Sequence, residues 1–151
     1  MIRASDTGFA RLLVWSMAWA SSLSSLGMVA GVFAQAPNPF STRDGIFSAQ
    51  QVERGRESFL WDCMDCHEME EFTGVGAYLE QMDGEPLWDV FEFIWTEMPE
   101  DRPAWLEPEE YADILSYILS VYGLPAGGTD MPVDEPSLRS IVIERPEQPG
   151  S

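Results

Sequence analysis

The residues with the most distinctive chemistry are concentrated in residues 61–70, which have the sequence WDCMDCHEME. This segment contains the only two cysteines of the chain, Cys63 and Cys66, and directly after them its only histidine, His67. Thiols and imidazoles bind metals and react with electrophiles. The spacing C-x-x-C-H helps to decide which kind of site the segment forms.

Three kinds of site use this spacing. A closed structural zinc site needs four ligands, normally Cys or His, and the chain has three such residues in total. A thioredoxin-like dithiol follows a buried strand of a βαβ unit, and nothing before Trp61 has that pattern. Covalent haem attachment fits best, because two thiols on one helical turn can add to the two vinyl groups of a porphyrin while the next imidazole binds the iron. We therefore predict one covalent haem c on Cys63, Cys66 and His67.

An iron bound by His67 has a second axial position, and the composition of the chain restricts what can fill it. The chain has no second histidine and no lysine. Five methionines follow residue 36: Met64, Met69, Met82, Met98 and Met131. Met64 and Met69 are too close to His67 in the chain to reach the opposite face of a haem. We predict Met98 as the ligand, because Pro99 holds it out of helical geometry at the start of a loop. Met131, which precedes another proline, is the alternative.

The first 36 residues are organised like a secretory signal peptide. Arg3 and Arg11 precede the apolar run LLVWSMAWASSLSSLGMVAGVFA, and an A-x-A sequence ends at Ala36. We predict cleavage after Ala36 and export to the periplasm, a compartment in which haem is attached to C-x-x-C-H. Serines scattered through the run weaken it as a membrane span. Once the signal peptide is cleaved, we expect the mature chain to have no membrane span. An uncleaved N-terminal anchor is the alternative.

The chain is strongly acidic, with 26 Asp and Glu against 8 basic residues and a net charge of −18. Such a surface excludes nucleic acid and acidic lipid as partners, because both carry negative charge themselves. It favours a redox protein with a basic docking face. The alternative explanation is an acidic coat of the kind that salt-adapted proteins carry.

The chain after residue 36 is long enough for one domain, and its apolar periodicity predicts short helices joined by loops, so the expected fold class is all-α. Ser48 is a suitable N-cap for a first helix, with Gln51 at the capping-box position. Gly55 inside this helix costs about 1 kcal/mol relative to alanine, which indicates that another helix crosses closely there. Residues 37–47 are predicted to form a surface arm before the domain.

Two further helices are predicted after the motif. One covers residues 86–97, and residues 72–84 before it form a glycine-bearing loop. The clearest pattern is PEEYADILSYILSVYG, with apolar residues at helical spacing, Pro108 in the first position and Gly123 as the stop. Residues 127–151 are a Pro- and Gly-rich tail with one short strand at 141–143.

Three features together resemble the class I monohaem cytochromes c: the motif CMDCH, the pair Met98-Pro99, and the closing segment EYADILSYIL followed by GLPAG. They are most similar to the small cytochrome c domains that serve quinoprotein alcohol dehydrogenases. The resemblance covers residues 48–126. It implies a cytochrome c fold, with three to four short helices around one covalently bound haem and the first and last helices crossing near Gly55 and Phe59. It also implies axial ligation by His67 and Met98.

The segment after the motif departs from the family pattern. Glu68 stands where these proteins usually have glycine, and residues 68–84 lack the proline whose loop carbonyl orients the proximal histidine. We expect a carbonyl near Gly74 or Gly76 to orient His67 instead.

The predicted function is one-electron transfer between a dehydrogenase and a downstream acceptor, without bond chemistry on a substrate. A quinoprotein dehydrogenase is one candidate partner. Two alternatives remain open at this point. The chain could be a tightly bound cytochrome subunit of a dehydrogenase or oxidase complex, or a sensor or peroxidase-like protein with an open haem.

Overall fold

The computed structural model of the protein describes residues 40–74 and 76–147. Its helices are α1 Ala49–Asp62, α2 Tyr78–Gln81, α3 Leu87–Glu97, α4 Pro108–Tyr122 and α5 Glu135–Arg139. Two strands, β1 Phe40–Ser41 and β2 Ile141–Val142, form the only sheet within these residues, and 3-10 turns lie at Thr42–Asp44 and Met69–Phe72. Because helices make up most of the regular structure and each strand has two residues, the all-α class is confirmed. The predicted signal peptide lies outside the described residues, and among those described no helix has the length and apolar character needed to cross a membrane.

Helix α1 begins where the sequence predicts. The Ser48 hydroxyl oxygen accepts a hydrogen bond from the Gln51 backbone N–H at 3.0 Å, which satisfies one of the N–H groups left free in the first turn. The Gln51 side chain does not complete a capping box. Its oxygen instead accepts a hydrogen bond from the Met131 N–H at 2.7 Å, so it ties the start of α1 to the C-terminal segment.

Helices α1 and α4 form the most extensive helix pair in the described part of the chain. A Cβ atom placed on Gly55 would lie 1.7 Å from the carbonyl oxygen of Asp113, so the two backbones approach as only glycine allows. Phe59, one turn further along α1, is fully buried beside this contact. The predicted close crossing near Gly55 and Phe59 is confirmed.

Helix α4 has the boundaries and the buried face that the sequence predicts. Pro108 occupies its first turn, and Gly123 ends it with a left-handed φ of 106°. The apolar residues recur at i, i+3 and i+4, so they share one face. The residues of that face are buried: Tyr111, Ile114, Leu115, Ile118, Leu119 and Tyr122.

The region between the motif and α3 contains more helix than the sequence predicts. The predicted loop 72–84 includes the short helix α2, and the 3-10 turn Met69–Phe72 precedes it. Both are too short to show an apolar period. Helix α3 packs against α4 and α5, and its buried residues are Leu87, Trp88, Val90 and Phe91.

The described parts of the predicted surface arm and tail, residues 40–47 and 127–147, pack onto the helical domain. Strand β1 pairs in parallel with β2, with Phe40 opposite Ile141. Phe47 is fully buried, and Gly45 packs so closely on Gly127 that neither position has room for a Cβ. Neither segment has enough apolar residues to form a pattern that predicts packing. Their Pro and Gly content therefore predicted an arm and a tail. The short strand predicted at 141–143 is confirmed as β2.

Candidate functional site

A cavity of about 790 Å³ opens beside the end of α1. Helices α3 and α4 and the loop between them form its other walls. Its volume lies within the range of roughly 300–1,000 Å³ that is typical of ligand and cofactor sites. Much of the wall is apolar, through Phe59, Phe72, Val90, Ile94, Leu106, Ile114 and Ile118.

All four residues predicted for the site line this one cavity. Cys63, Cys66 and His67 come from the end of α1 and the turn that follows it, whereas Met98 comes from the end of α3. The alternative methionine, Met131, is buried in the core and does not line the cavity. The structure therefore brings the C-x-x-C-H motif and the preferred methionine to one cavity.

The attachment motif forms a single turn that continues from α1. The Cys63 N–H donates to the Phe59 carbonyl at 3.0 Å, and the N–H groups of Cys66 and His67 donate to the Cys63 carbonyl at 3.2 and 3.0 Å. Both thiols are free. Burial, with a smaller effect of the Asp62 charge, raises the pKa of Cys63 to about 11, so this thiol is protonated at neutral pH.

His67 is oriented by a carboxylate rather than by the expected loop carbonyl. Its Nδ1 lies 2.9 Å from Glu71 Oε2. The prediction of a carbonyl near Gly74 or Gly76 is therefore wrong. The physical reason is the 3-10 turn Met69–Phe72, which brings the side chain four residues after the histidine back onto its ring.

The Glu71 carboxylate is itself held in place. Its Oε1 accepts a hydrogen bond from the Glu68 N–H at 3.0 Å. This backbone hydrogen bond and, next, the one with His67 hold the pKa of Glu71 below its usual range. The Phe72 ring stands nearly edge-on to the His67 ring, with 5.5 Å between centroids. Because a histidine followed four residues later by an acid is common on helix surfaces, the sequence alone did not single out Glu71.

Met98 is fixed in an extended conformation at the end of α3. Its φ and ψ are −122° and 145°, in agreement with the restriction that Pro99 imposes on its predecessor. The Met98 carbonyl accepts a hydrogen bond from the Tyr111 hydroxyl at 2.8 Å. Burial raises the pKa of Tyr111, so its hydroxyl keeps its proton as the donor. Helix α4 therefore holds the backbone of the methionine loop.

The cavity carries a predominance of negative charge. Its lining acids are Asp62, Asp65, Glu71, Glu100 and Asp101, and the arginine among the lining residues is Arg102. Arg102 lies 3.3 Å from Asp62 and 3.4 Å from Asp101, so it links the motif side of the cavity to the methionine loop. Its guanidinium carbon also lies 5.6 Å from the centre of the Trp105 ring.

The aromatic residues near the motif divide between the cavity and the core. Trp61, Tyr78 and Phe93 line the cavity, and Trp61 is 83% exposed. Trp88 and Phe91 are buried in the core instead. The aromatic side chains Trp61, Tyr78 and Phe93 thus reach the cavity from α1, α2 and α3 respectively.

No protein-family model, curated protein or solved structure matches the chain. The function must therefore be inferred from the cavity and its residues. Residues 40–74 and 76–147 contain no group of three or more His, Cys, Asp or Glu side chains arranged to hold a metal ion. The residues of this cavity fit an iron porphyrin in a largely apolar volume. Two thiols can attach the porphyrin, and an imidazole and a thioether can bind its iron.

Proposed function

We propose that the protein is an exported, periplasmic monohaem c-type cytochrome that carries single electrons between a dehydrogenase and a downstream acceptor. One observation carries this proposal. The C-x-x-C-H motif and Met98, which are remote in the sequence, line the same largely apolar cavity. A chance C-x-x-C-H string would have no reason to line the same cavity as a methionine held extended before Pro99.

The side chains of the cavity divide the work of holding the cofactor. Cys63 and Cys66 would attach the haem covalently, and His67 and Met98 would bind its iron. When bound, haem c supplies a one-electron iron couple, whose potential a Met ligand raises relative to bis-His ligation. The apolar walls keep water from the buried side of the site, so little rearrangement accompanies electron transfer.

The position of Met98 favours an electron carrier over a sensor or a peroxidase-like protein. Those functions require an open coordination position, whereas the Tyr111 hydroxyl holds the backbone of Met98 beside the cavity. A tightly bound subunit of a dehydrogenase or oxidase complex would use the same ligands. It differs from a mobile carrier in the permanence of its association and not in its chemistry.

The partner that this site suits is a redox protein with a basic docking face. Five carboxylates against one arginine line the cavity, and a partner must approach the haem edge there to exchange an electron. Complementary charge raises the rate of such encounters. A quinoprotein dehydrogenase with a basic surface is one candidate.

Covalent attachment is the first test of the proposal. The full chain is produced in a cell with haem-ligation machinery, and the exported protein is analysed by mass spectrometry and by acid–acetone extraction. We expect the wild type to keep its haem through extraction and Cys63→Ala/Cys66→Ala to lose it. Asp65→Ala, which changes the spacer but preserves C-x-x-C-H, is the matched control and keeps the haem. Haem that resists extraction in the double variant contradicts the proposed attachment.

A further inference from the structure

The hydrogen bond between His67 and Glu71 has a consequence for any metal bound to the imidazole. A neutral imidazole carries a proton on one ring nitrogen and a lone pair on the other. A carboxylate 2.9 Å from Nδ1 requires the proton on that nitrogen. Nε2 is then the ring nitrogen whose lone pair is available to a metal.

The carboxylate is positioned to act on the ring rather than placed there incidentally. One of its oxygens faces His67 Nδ1, and the other accepts the Glu68 N–H at 3.0 Å. The 3-10 turn Met69–Phe72 fixes this arrangement. A charged acceptor on the far nitrogen raises the basicity of a metal-bound histidine more than a neutral carbonyl does, because charge-assisted hydrogen bonds are stronger.

We propose that Glu71 is a positioning residue that fixes the tautomer of His67 and lowers the reduction potential of the iron bound to it. The inference rests on the proposed function, since it requires haem on His67. A more basic imidazole donates more electron density and stabilises the oxidised iron, which carries the larger positive charge. Glu71 thus opposes the effect of the Met98 thioether, and the balance between the two sets the working potential.

A neighbouring acid provides the matched control. Glu70 lies exposed in the same 3-10 turn, and among the described residues the hydrogen-bond partner of the His67 ring is Glu71, not Glu70. Glu70→Gln and Glu71→Gln each remove one negative charge from this turn. The difference between them therefore isolates the hydrogen bond from the general effect of charge near the haem.

The test is the midpoint potential of the full-length holoprotein, measured by spectroelectrochemistry at constant salt. At a fixed applied potential, we expect Glu71→Gln to raise the ratio of reduced to oxidised protein about tenfold, which is about 59 mV for a one-electron couple. Glu70→Gln should raise the midpoint potential by less than a third of the shift expected for Glu71→Gln. Equal shifts in the two variants, or no rise in Glu71→Gln, overturn the role of Glu71.

A second measurement does not depend on how well the variant folds. Because the chain contains a single histidine, ¹⁵N-labelled histidine gives one unambiguous set of ring signals in the reduced holoprotein. We expect a proton on Nδ1 of the wild type, and detecting it requires no variant. A wild-type Nδ1 without a proton overturns the inference. A wild type without haem overturns the proposed function as well, whereas haem with an unchanged potential in Glu71→Gln overturns only the inference.

Discussion

At the scale of the residue, the most informative contact is the hydrogen bond from the Tyr111 hydroxyl to the Met98 carbonyl. A thioether is a weak and uncharged ligand, so its hold on an iron depends on how firmly its backbone is placed. Tyr111 is almost fully buried on α4, the longest helix among the described residues. Helix α4 therefore supports the backbone of the residue that we propose as the second iron ligand.

Tyr111→Phe removes this hydrogen bond while keeping the aromatic ring. A lost hydrogen bond of this kind corresponds to about 1 kcal/mol, or about a fivefold change in an equilibrium. We therefore expect the oxidised protein to bind added imidazole, which displaces the methionine, about fivefold more tightly. Tyr117→Phe on the same helix, away from the cavity lining, is the control and should leave imidazole binding unchanged. An unaltered affinity in Tyr111→Phe would show that the hydroxyl does not stabilise the ligand loop.

The residues of the site differ in how far the sequence could predict them. Cys63, Cys66 and His67 are predicted from spacing, and Met98 from elimination and from Pro99; the structure places all four at one cavity. Glu71 was not identified as a partner of the histidine, because its role depends on a 3-10 turn of four residues. Such a turn has no apolar period, so the return of the side chain onto the ring is a property of backbone geometry that composition does not reveal.

At the scale of the element, the crossing of α1 and α4 positions the site. It places the end of α1, which carries the attachment motif, beside the helix that holds the Met98 loop. The approach depends on Gly55, whose missing side chain makes room for the Asp113 carbonyl. Any larger residue must push the two helices apart.

Gly55→Ala should destabilise the protein by about 3 kcal/mol or more, because overpacking at a rigid backbone contact costs this much. The gain in helix propensity, about 1 kcal/mol, is too small to offset it. Gly128→Ala is the control, since a Cβ there meets no atom within 4 Å, and its effect should stay within about 0.5 kcal/mol. Chemical denaturation of the holoproteins measures both. A Gly55→Ala protein as stable as the wild type would mean that the helices do not pack as closely as described.

The elements were predictable to the extent that their signals are local. Ser48, Pro108 and Gly123 mark helix ends through capping chemistry that acts within one turn, and α4 has a complete apolar face. The pairing of β1 with β2 joins opposite ends of the described chain in two-residue strands. No local pattern predicts a contact of this kind, which is why the arm and tail were expected to lie outside the domain.

At the scale of the whole molecule, the prominent property is negative charge, which affects the rate of association with a charged partner. The chain carries a net charge of −18, and several of its acids line the cavity. These charges either guide a basic partner to the haem edge or belong to a general acidic coat. The two explanations differ in what salt does.

We expect second-order electron transfer to a basic redox protein to slow as ionic strength rises. Electrostatic guidance accelerates association by about 10–10³-fold at low salt, and screening over a Debye length of about 8 Å at physiological salt reduces it. Asp65→Asn/Glu100→Gln, at the cavity, should slow transfer at low salt. Glu57→Gln/Glu109→Gln, which removes two exposed acids away from the cavity lining, should not. A rate that is flat or rises with salt would contradict docking through the cavity acids and leave electron transfer itself in place.

The most direct test of the central claim, a haem held between His67 and Met98, is the near-infrared spectrum of the oxidised protein. We predict the weak charge-transfer band of sulfur-ligated low-spin haem in the wild type. It should disappear in Met98→Ala and persist in Met131→Ala, because Met98 lines the cavity and Met131 is buried in the core. Loss of the band in Met131→Ala, or high-spin iron in the wild type at neutral pH, would contradict this account.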